Sequence, residues 1–249
     1  MTAKKPSRLS LYLTESRDIG RSLVLVVPLL VAYEVGMPLL APNLRNSAEW
    51  SVSQLLAPLP DATLLYLRRA TLSALVIASL LWTLSSRRNR AQVARPYLIL
   101  AESAGLALLL GPALGALVHR LGLPLSASPT LVEPSGAWVP FALSVGAGLW
   151  EELVFRLGLM GGLVLLGTQV LRWRRGVALG GAVLVSAAIF ALYHHMGETG
   201  EPLEPARFVF RALAGTILGL LFAWRGLAVV VYMHVFYDVL CDLRVLATT

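Results

Sequence analysis

Glutamate, histidine and aspartate are side chains that take a proton from water and steady the oxyanion formed when water attacks a carbonyl. Here they occur in three short runs inside apolar stretches. The runs are Leu149-Trp150-Glu151-Glu152-Leu153-Val154-Phe155-Arg156, Phe190-Ala191-Leu192-Tyr193-His194-His195 and His234-Val235-Phe236-Tyr237-Asp238. Glu152 and Arg156 are four residues apart, so on a helix they share a face and can pair. Glu151 is about 100° round from Glu152 and is free to point elsewhere. Phe190 and His194 share a face by the same spacing, as do His234 and Asp238. Each run also admits a plainer reading: a buried ion pair with a spare carboxylate, an interfacial histidine at a helix end, or a His–Asp pair bridging helices. The interfacial role suits His195 better than His194. A charge at mid-bilayer costs about 2.5–3.5 kcal/mol on insertion scales, so each needs a reason, and a functional one is the default. The spacing establishes neighbours within each helix and leaves open whether the three helices meet.

The elements that carry these residues are set by composition. The chain has 249 residues, 57% of them hydrophobic and only 14% charged. A soluble domain has about 25% charged residues and cannot hide this apolar excess in one core. Lipid is the expected solvent. Seven segments are apolar enough to span, near 19–41, 63–84, 97–118, 137–170, 177–196, 207–224 and 227–246. The fourth is long, and is either one tilted helix or a helix that runs beyond the bilayer. Backbone groups in lipid must be satisfied within their segment, and a barrel's alternation is absent, so the fold expected is all-α. It is a polytopic membrane helix bundle of seven or eight transmembrane helices. The whole chain, 1–249, reads as one membrane domain, with N-terminal helices over 19–118 and a catalytic-type core over 137–246.

The net charge of +7 is spread between the apolar runs and forms no single basic patch, which argues against nucleic acid. Lys4, Lys5, Arg8, Arg17 and Arg21 precede the first segment, and no signal-peptide cleavage pattern comes after them. Arg87, Arg88, Arg90 and Arg95 follow the second, Arg172, Arg174 and Arg175 the fourth, and Arg225 the sixth. The alternate connections hold Glu49 and Asp61, then Glu133, then Glu198, Glu201 and Glu204. Positive charge marks the cytoplasmic side, so the N-terminus is expected inside and the C-terminus outside. The lone cysteine, Cys241, reads as a small apolar residue in a helix.

The ordered set Glu151-Glu152-x-x-x-Arg156, Phe190-x-x-x-His194 and His234-x-x-x-Asp238 resembles the CPBP family of intramembrane proteases, the CAAX-protease and bacteriocin-processing family. The resemblance spans roughly 137–246. It implies an intramembrane endopeptidase that cuts near the C-terminus or membrane anchor of a membrane-associated protein. Glu151 would be the base that activates water, with His194 helping to hold that water. His234 and Asp238 would stabilise the oxyanion, Glu152 would pair with Arg156, and Phe190 would shape the pocket. Some members carry Asn where this chain has Asp238. A carboxylate is a poor oxyanion donor unless protonated, so Asp238 can instead orient His234.

Two His with a Glu could ligate zinc, but no HExxH pair exists. A metal-free glutamate mechanism is preferred, because second-shell carboxylates for metal-bound histidines are not evident beyond Asp238. The expected partners are a membrane-anchored protein or peptide substrate and the lipid bilayer. Short loops and the lack of a eukaryotic targeting sequence fit a bacterial inner-membrane protein. The preferred substrates are C-terminal sorting signals or anchors of exported proteins, with prenylated CAAX proteins as the alternative. Counting along the helices places Glu151 and His194 nearer the outer face and His234 nearer the inner one, a conflict that a tilt, bend or shift must resolve. Glu34 and Glu102 also lie in spans, where they line a path or are capped by neighbours such as Tyr33 or Ser103. The rival classes are a non-catalytic immunity or scaffold protein that sequesters a peptide, and a small transporter with a proton relay.

Overall fold

With lipid as solvent, each segment must satisfy its own backbone, and the helix is the solution available to a single segment. The structure is a computed structural model that describes residues 7–40, 61–85, 96–123, 138–196 and 200–246. Among these, every regular element is a helix. In chain order they are α1 (Arg8–Glu15), α2 (Ile19–Leu40), α3 (Asp61–Ser85), α4 (Pro96–Arg120), α5 (Trp138–Val170), α6 (Arg175–Tyr193), α7 (Pro205–Arg225) and α8 (Leu227–Leu246). The seven expected segments reappear as α2 to α8. The first helix is additional, a short segment whose N-terminus is capped by the Ser7 side chain accepting from the Ser10 N–H.

Among the described residues, five helices are long and apolar enough to cross a membrane: α2, α4, α5, α6 and α7. In α3 only the shorter stretch Arg69–Ser85 is apolar enough, and α8 is not among the five. Five of the seven or eight expected spans are therefore met. Arg87, Arg88, Arg90, Arg95, Glu49, Glu133 and Glu198, whose charges bear on orientation, lie outside the described residues, as do Lys4 and Lys5.

Helix α8 is the centre of the bundle. Leu227 to Val231 are at most 1% exposed, as expected of a helix that is apolar all round. It packs on α2, α4, α5 and α7. The core joins Val26 and Leu30 of α2, Leu110 and Leu114 of α4, and Val145 and Leu149 of α5 to α8. Without a hydrophobic drive between helices in lipid, close approach through small residues supplies packing. Gly148 shows how close: a Cβ there would stand 2.7 Å from the Val235 backbone nitrogen.

At the α7–α8 junction, Gly226 adopts φ +86°, a conformation that side chains rarely take, and a Cβ there would stand 2.3 Å from the Ser16 carbonyl oxygen. Beside it Arg225, counted from sequence as a loop cation, is buried. Its Nε and Nη2 donate to Glu102 at 2.6 and 2.7 Å, and Nη1 donates to Ser16 Oγ at 2.8 Å. The Tyr12 hydroxyl also donates to Glu102, and burial together with that carboxylate pushes the phenol above its ordinary range. Glu102 is thus held by Arg225 and Tyr12, whereas its neighbour Ser103 bonds the Val229 carbonyl.

Candidate active site

Helix α5 changes its winding where the chemistry begins. It is α-helical through Glu151 and π-helical from Glu152 to Met160, with i→i+5 pairing that widens the turn. Inserted turns of this kind occur frequently at functional sites. Glu151 is the last α residue and Glu152 the first π residue, and both are buried.

Glu152 Oε1 is 3.0 Å from Arg156 Nη1, so the expected pair is present. The same oxygen is 2.7 Å from His234 Nδ1 of α8. Arg156 also donates from Nη2 to the Gly215 carbonyl of α7 at 3.4 Å, and its guanidinium lies 4.4 Å over the Phe190 ring. Phe190 of α6 is 1% exposed and packs edge-on against His194 and, at longer range, His234. One aromatic ring therefore fixes a cation and both imidazoles.

The two histidines are oriented by their Nδ1 atoms. His194 Nδ1 lies 2.8 Å from the Phe190 carbonyl, which only accepts, so Nδ1–H donates and neutral His194 presents a lone pair at Nε2. His234 Nδ1 is held by Glu152. Both Nε2 atoms then face Glu151, whose Oε2 is 3.8 Å from His194 Nε2 and 3.7 Å from His234 Nε2. Those separations exceed a hydrogen bond but are short enough for one water to bond both ends. Asp238 Oδ2 is 3.6 Å from His234 Nε2. The structure brings together Glu151, Glu152, Arg156, Phe190, His194, His234 and Asp238 from α5, α6 and α8.

Two expectations change. The carboxylate that orients His234 is Glu152, on Nδ1; Asp238 lies at the other nitrogen, on the side facing Glu151. Spacing within α8 could not reveal a partner from α5. His234, counted nearer the inner face, stands beside both glutamates, 3.7 Å from Glu151 and 2.7 Å from Glu152. Glu151 lies about 20 Å along α5 at the usual rise, whereas His194 caps the end of α6. Helix α5 continues past the end of α6, which brings Glu151 beside His194, 3.8 Å away.

Other residues around the site were not singled out by motif or spacing. The Glu201 N–H donates to the His194 carbonyl at 2.8 Å, the Glu201 carbonyl faces His195 Nδ1 at 3.0 Å, and the Glu201 carboxylate pairs with Arg211. Glu204 pairs with Arg207. His195 stacks on Phe208 in the turn that follows α6. Arg207 and Arg211 are four apart in an apolar stretch, the same signal that singled out Glu152 and Arg156. Glu34 accepts from Trp150 Nε1 at 3.2 Å, and Ser144 donates to Asp242 at 2.5 Å.

Among the described residues, no group of three His, Cys, Asp or Glu side chains is arranged to hold a metal ion. Residues 133–240 match the family model described as Type II CAAX prenyl endopeptidase Rce1-like. No curated protein and no solved structure matches the chain. The matched segment contains all three runs of ionisable residues. That family is one of proteases, and the apolar helices are those of a multi-pass membrane protein. Over residues 133–240 the chain is similar to this Rce1-like family of CPBP proteases.

Proposed function

We propose that the protein is an intramembrane endopeptidase in which Glu151 activates water to cut a peptide bond near the C-terminus or membrane anchor of a membrane-associated protein. The observation that carries this reading is the Glu151 carboxylate facing the Nε2 atoms of both His194 and His234. Water held by Glu151 and the His194 lone pair attacks the carbonyl carbon, and its proton passes to Glu151. The C–O bond forms as the carbonyl π pair moves onto oxygen. His234, in its protonated form, presents Nε2–H to that oxyanion. On collapse the C–N bond breaks, and Glu151 returns the proton to the leaving amine. Glu152 and Arg156 hold His234 and the π segment, and Phe190 packs both imidazoles. Asp238 lies beside the His234 Nε2 position, where it shapes the rim. No metal takes part in this scheme.

The N-terminus lies in the cytoplasm and the C-terminus outside, in a bacterial inner membrane. The sorting-type substrate is preferred because the site stands at the outer end of α6. A second substrate class, prenylated CAAX peptides, is favoured by the description of the matching family. The deciding experiment compares membrane-protein C-termini in cells with the wild-type gene, a deletion, and Glu151→Gln at equal expression. Loss of the same products in the deletion and the mutant supports the peptidase. A mutant that cuts like wild type removes Glu151 from the mechanism and favours a sequestering scaffold. The class of the uncut protein, anchored or prenylated, decides between the substrates.

A further inference from the structure

Arg211 takes no part in the water-activating set, yet its place in α7 is fixed with respect to it. A Cβ on Gly215 would meet Ala187 and Phe190 of α6, and one on Gly219 would meet Val183. The two helices are therefore antiparallel, with pairings that step together along both. One turn beyond Phe190 is His194, and one turn back from Gly215 is Arg211. Arg211 thus comes level with His194. The Glu201 contacts give the same placement independently. This residue bonds His194 and His195 through its backbone and Arg211 through its carboxylate.

Exposure grows in one direction across the site. The side chains of Glu151, His234 and His194 are 3%, 7% and 10% exposed, whereas those of Asp238 and Arg211 are 24% and 27% exposed. The rim is therefore made by Asp238 and Arg211. A guanidinium carries five N–H donors in a fork that matches a carboxylate, and Glu201 engages one nitrogen. A cation level with a water-activating histidine and open at the rim is placed to meet an anion that arrives with the substrate. The anion common to polypeptides that end near the scissile bond is the terminal carboxylate.

We propose that Arg211 receives the substrate's C-terminal carboxylate, so that the cut is measured from the end of the chain. Extended residues advance about 3.4 Å each, so a carboxylate seated this near the histidines fits a released tail of only a few residues, which suits the prenylated CAAX class of substrate rather than removal of a whole membrane anchor. Glu201 holds the guanidinium in orientation while the rim is open, and the incoming carboxylate takes the free edge of the fork. The inference rests on the peptidase reading for its substrate, but its test is a binding measurement that needs no turnover.

The full-length protein carrying Glu151→Gln, in lipid nanodiscs, is titrated with two fluorescent peptides. One is farnesylated and the other ends in an apolar anchor, and each is made as a free acid and as a C-terminal amide. For at least one peptide, the acid is expected to bind about tenfold or more tightly than the amide, the scale of a charged hydrogen-bonded contact. Adding Arg211→Gln should bring the acid-to-amide ratio close to one, and Arg211→Lys should keep part of it. Equal binding of acid and amide overturns the proposal, as does a preference that survives Arg211→Gln or a loss that strikes both forms alike. Absence of binding by all four peptides also overturns it. The protein with Glu151 intact separates the two ideas. An acid preference with no cleavage removes the peptidase and keeps the anchor, whereas cleavage without the preference does the reverse.

Discussion

Replacing Arg156 by methionine tests the buried pair on which the site is built. The guanidinium is 1% exposed and its Nη1 stands 3.0 Å from a Glu152 carboxylate that is fully buried. At an effective dielectric near 20 such a contact is worth roughly 5 kcal/mol before desolvation is counted. The position over Phe190 adds about 1 kcal/mol. Methionine follows the alkyl stem but leaves Glu152 charged and buried, so Arg156→Met alone should cost about 3–5 kcal/mol. Glu152→Gln alone leaves a buried cation, although the amide oxygen can still accept from His234. Combined, the two changes remove both charges, and the double mutant should cost at least about 2 kcal/mol less than the sum of the singles. The assay is reversible unfolding in mixed micelles with rising SDS, followed by tryptophan fluorescence, for the four proteins of the cycle. Additivity within about 0.5 kcal/mol would refute the reasoning, because contacting charges in one network must couple. A cost below about 1 kcal/mol for Arg156→Met would refute it too, since it would mean that Glu152 is not sealed from water.

Gly148→Val should push α5 away from α8, because its new methyls meet the backbone of Val235; we expect a loss of about 3 kcal/mol or more in the same assay, with Gly148→Ala intermediate. Arg225→Met should destabilise the protein by a similar amount by stranding Glu102, and protease cutting between α1 and α2 should rise, because Ser16 loses its bond to the guanidinium. Peptide cleavage should survive exhaustive chelation; activity lost to the chelator and restored by zinc would replace the glutamate scheme with a metal one. Glu151→Gln should lower the cleavage rate by a factor of about 100 or more while leaving the unfolding curve in place, and equal rates would exclude it as the base.

The spans were legible because lipid thickness sets their length: α2, α4 and α5 start and stop within a few residues of the apolar runs. The three site runs were legible because ionisable residues stand out against an apolar background, and the i, i+4 rule correctly paired Glu152 with Arg156. Partners outside a single helix were hidden. The sequence offers no clue that Arg225 meets Glu102, 123 positions away, or that Glu152 rather than Asp238 holds His234 Nδ1. The π winding after Glu151 is likewise invisible, since no pattern of residue types between Glu152 and Met160 marks the change to i→i+5 pairing. Arg211 could have been found. It stands four residues from Arg207 in a span, but with no acidic residue at the same spacing nothing suggested a partner. Its partner Glu201 lies in the preceding connection. Helix α1 is only eight residues long, too short for periodicity to distinguish it from a polar tail.

The widened winding of α5 also makes the site sensitive to length as well as to identity. Each residue removed from an α-helix turns the part before the deletion by about 100° relative to the part after it. Deleting Leu153 or Val154 would leave Arg156 and the rest of α5 in place but shift everything before them by one position. It would also swing Glu151 off the two imidazoles while Arg156 and the C-terminal half of α5 stayed docked on α6 and α7. The segment should therefore accept many apolar substitutions yet no change in residue count, so that in a deep mutational library its deletions are silenced more uniformly than its substitutions. The connections between the helices, where extra residues turn nothing, should show the opposite pattern.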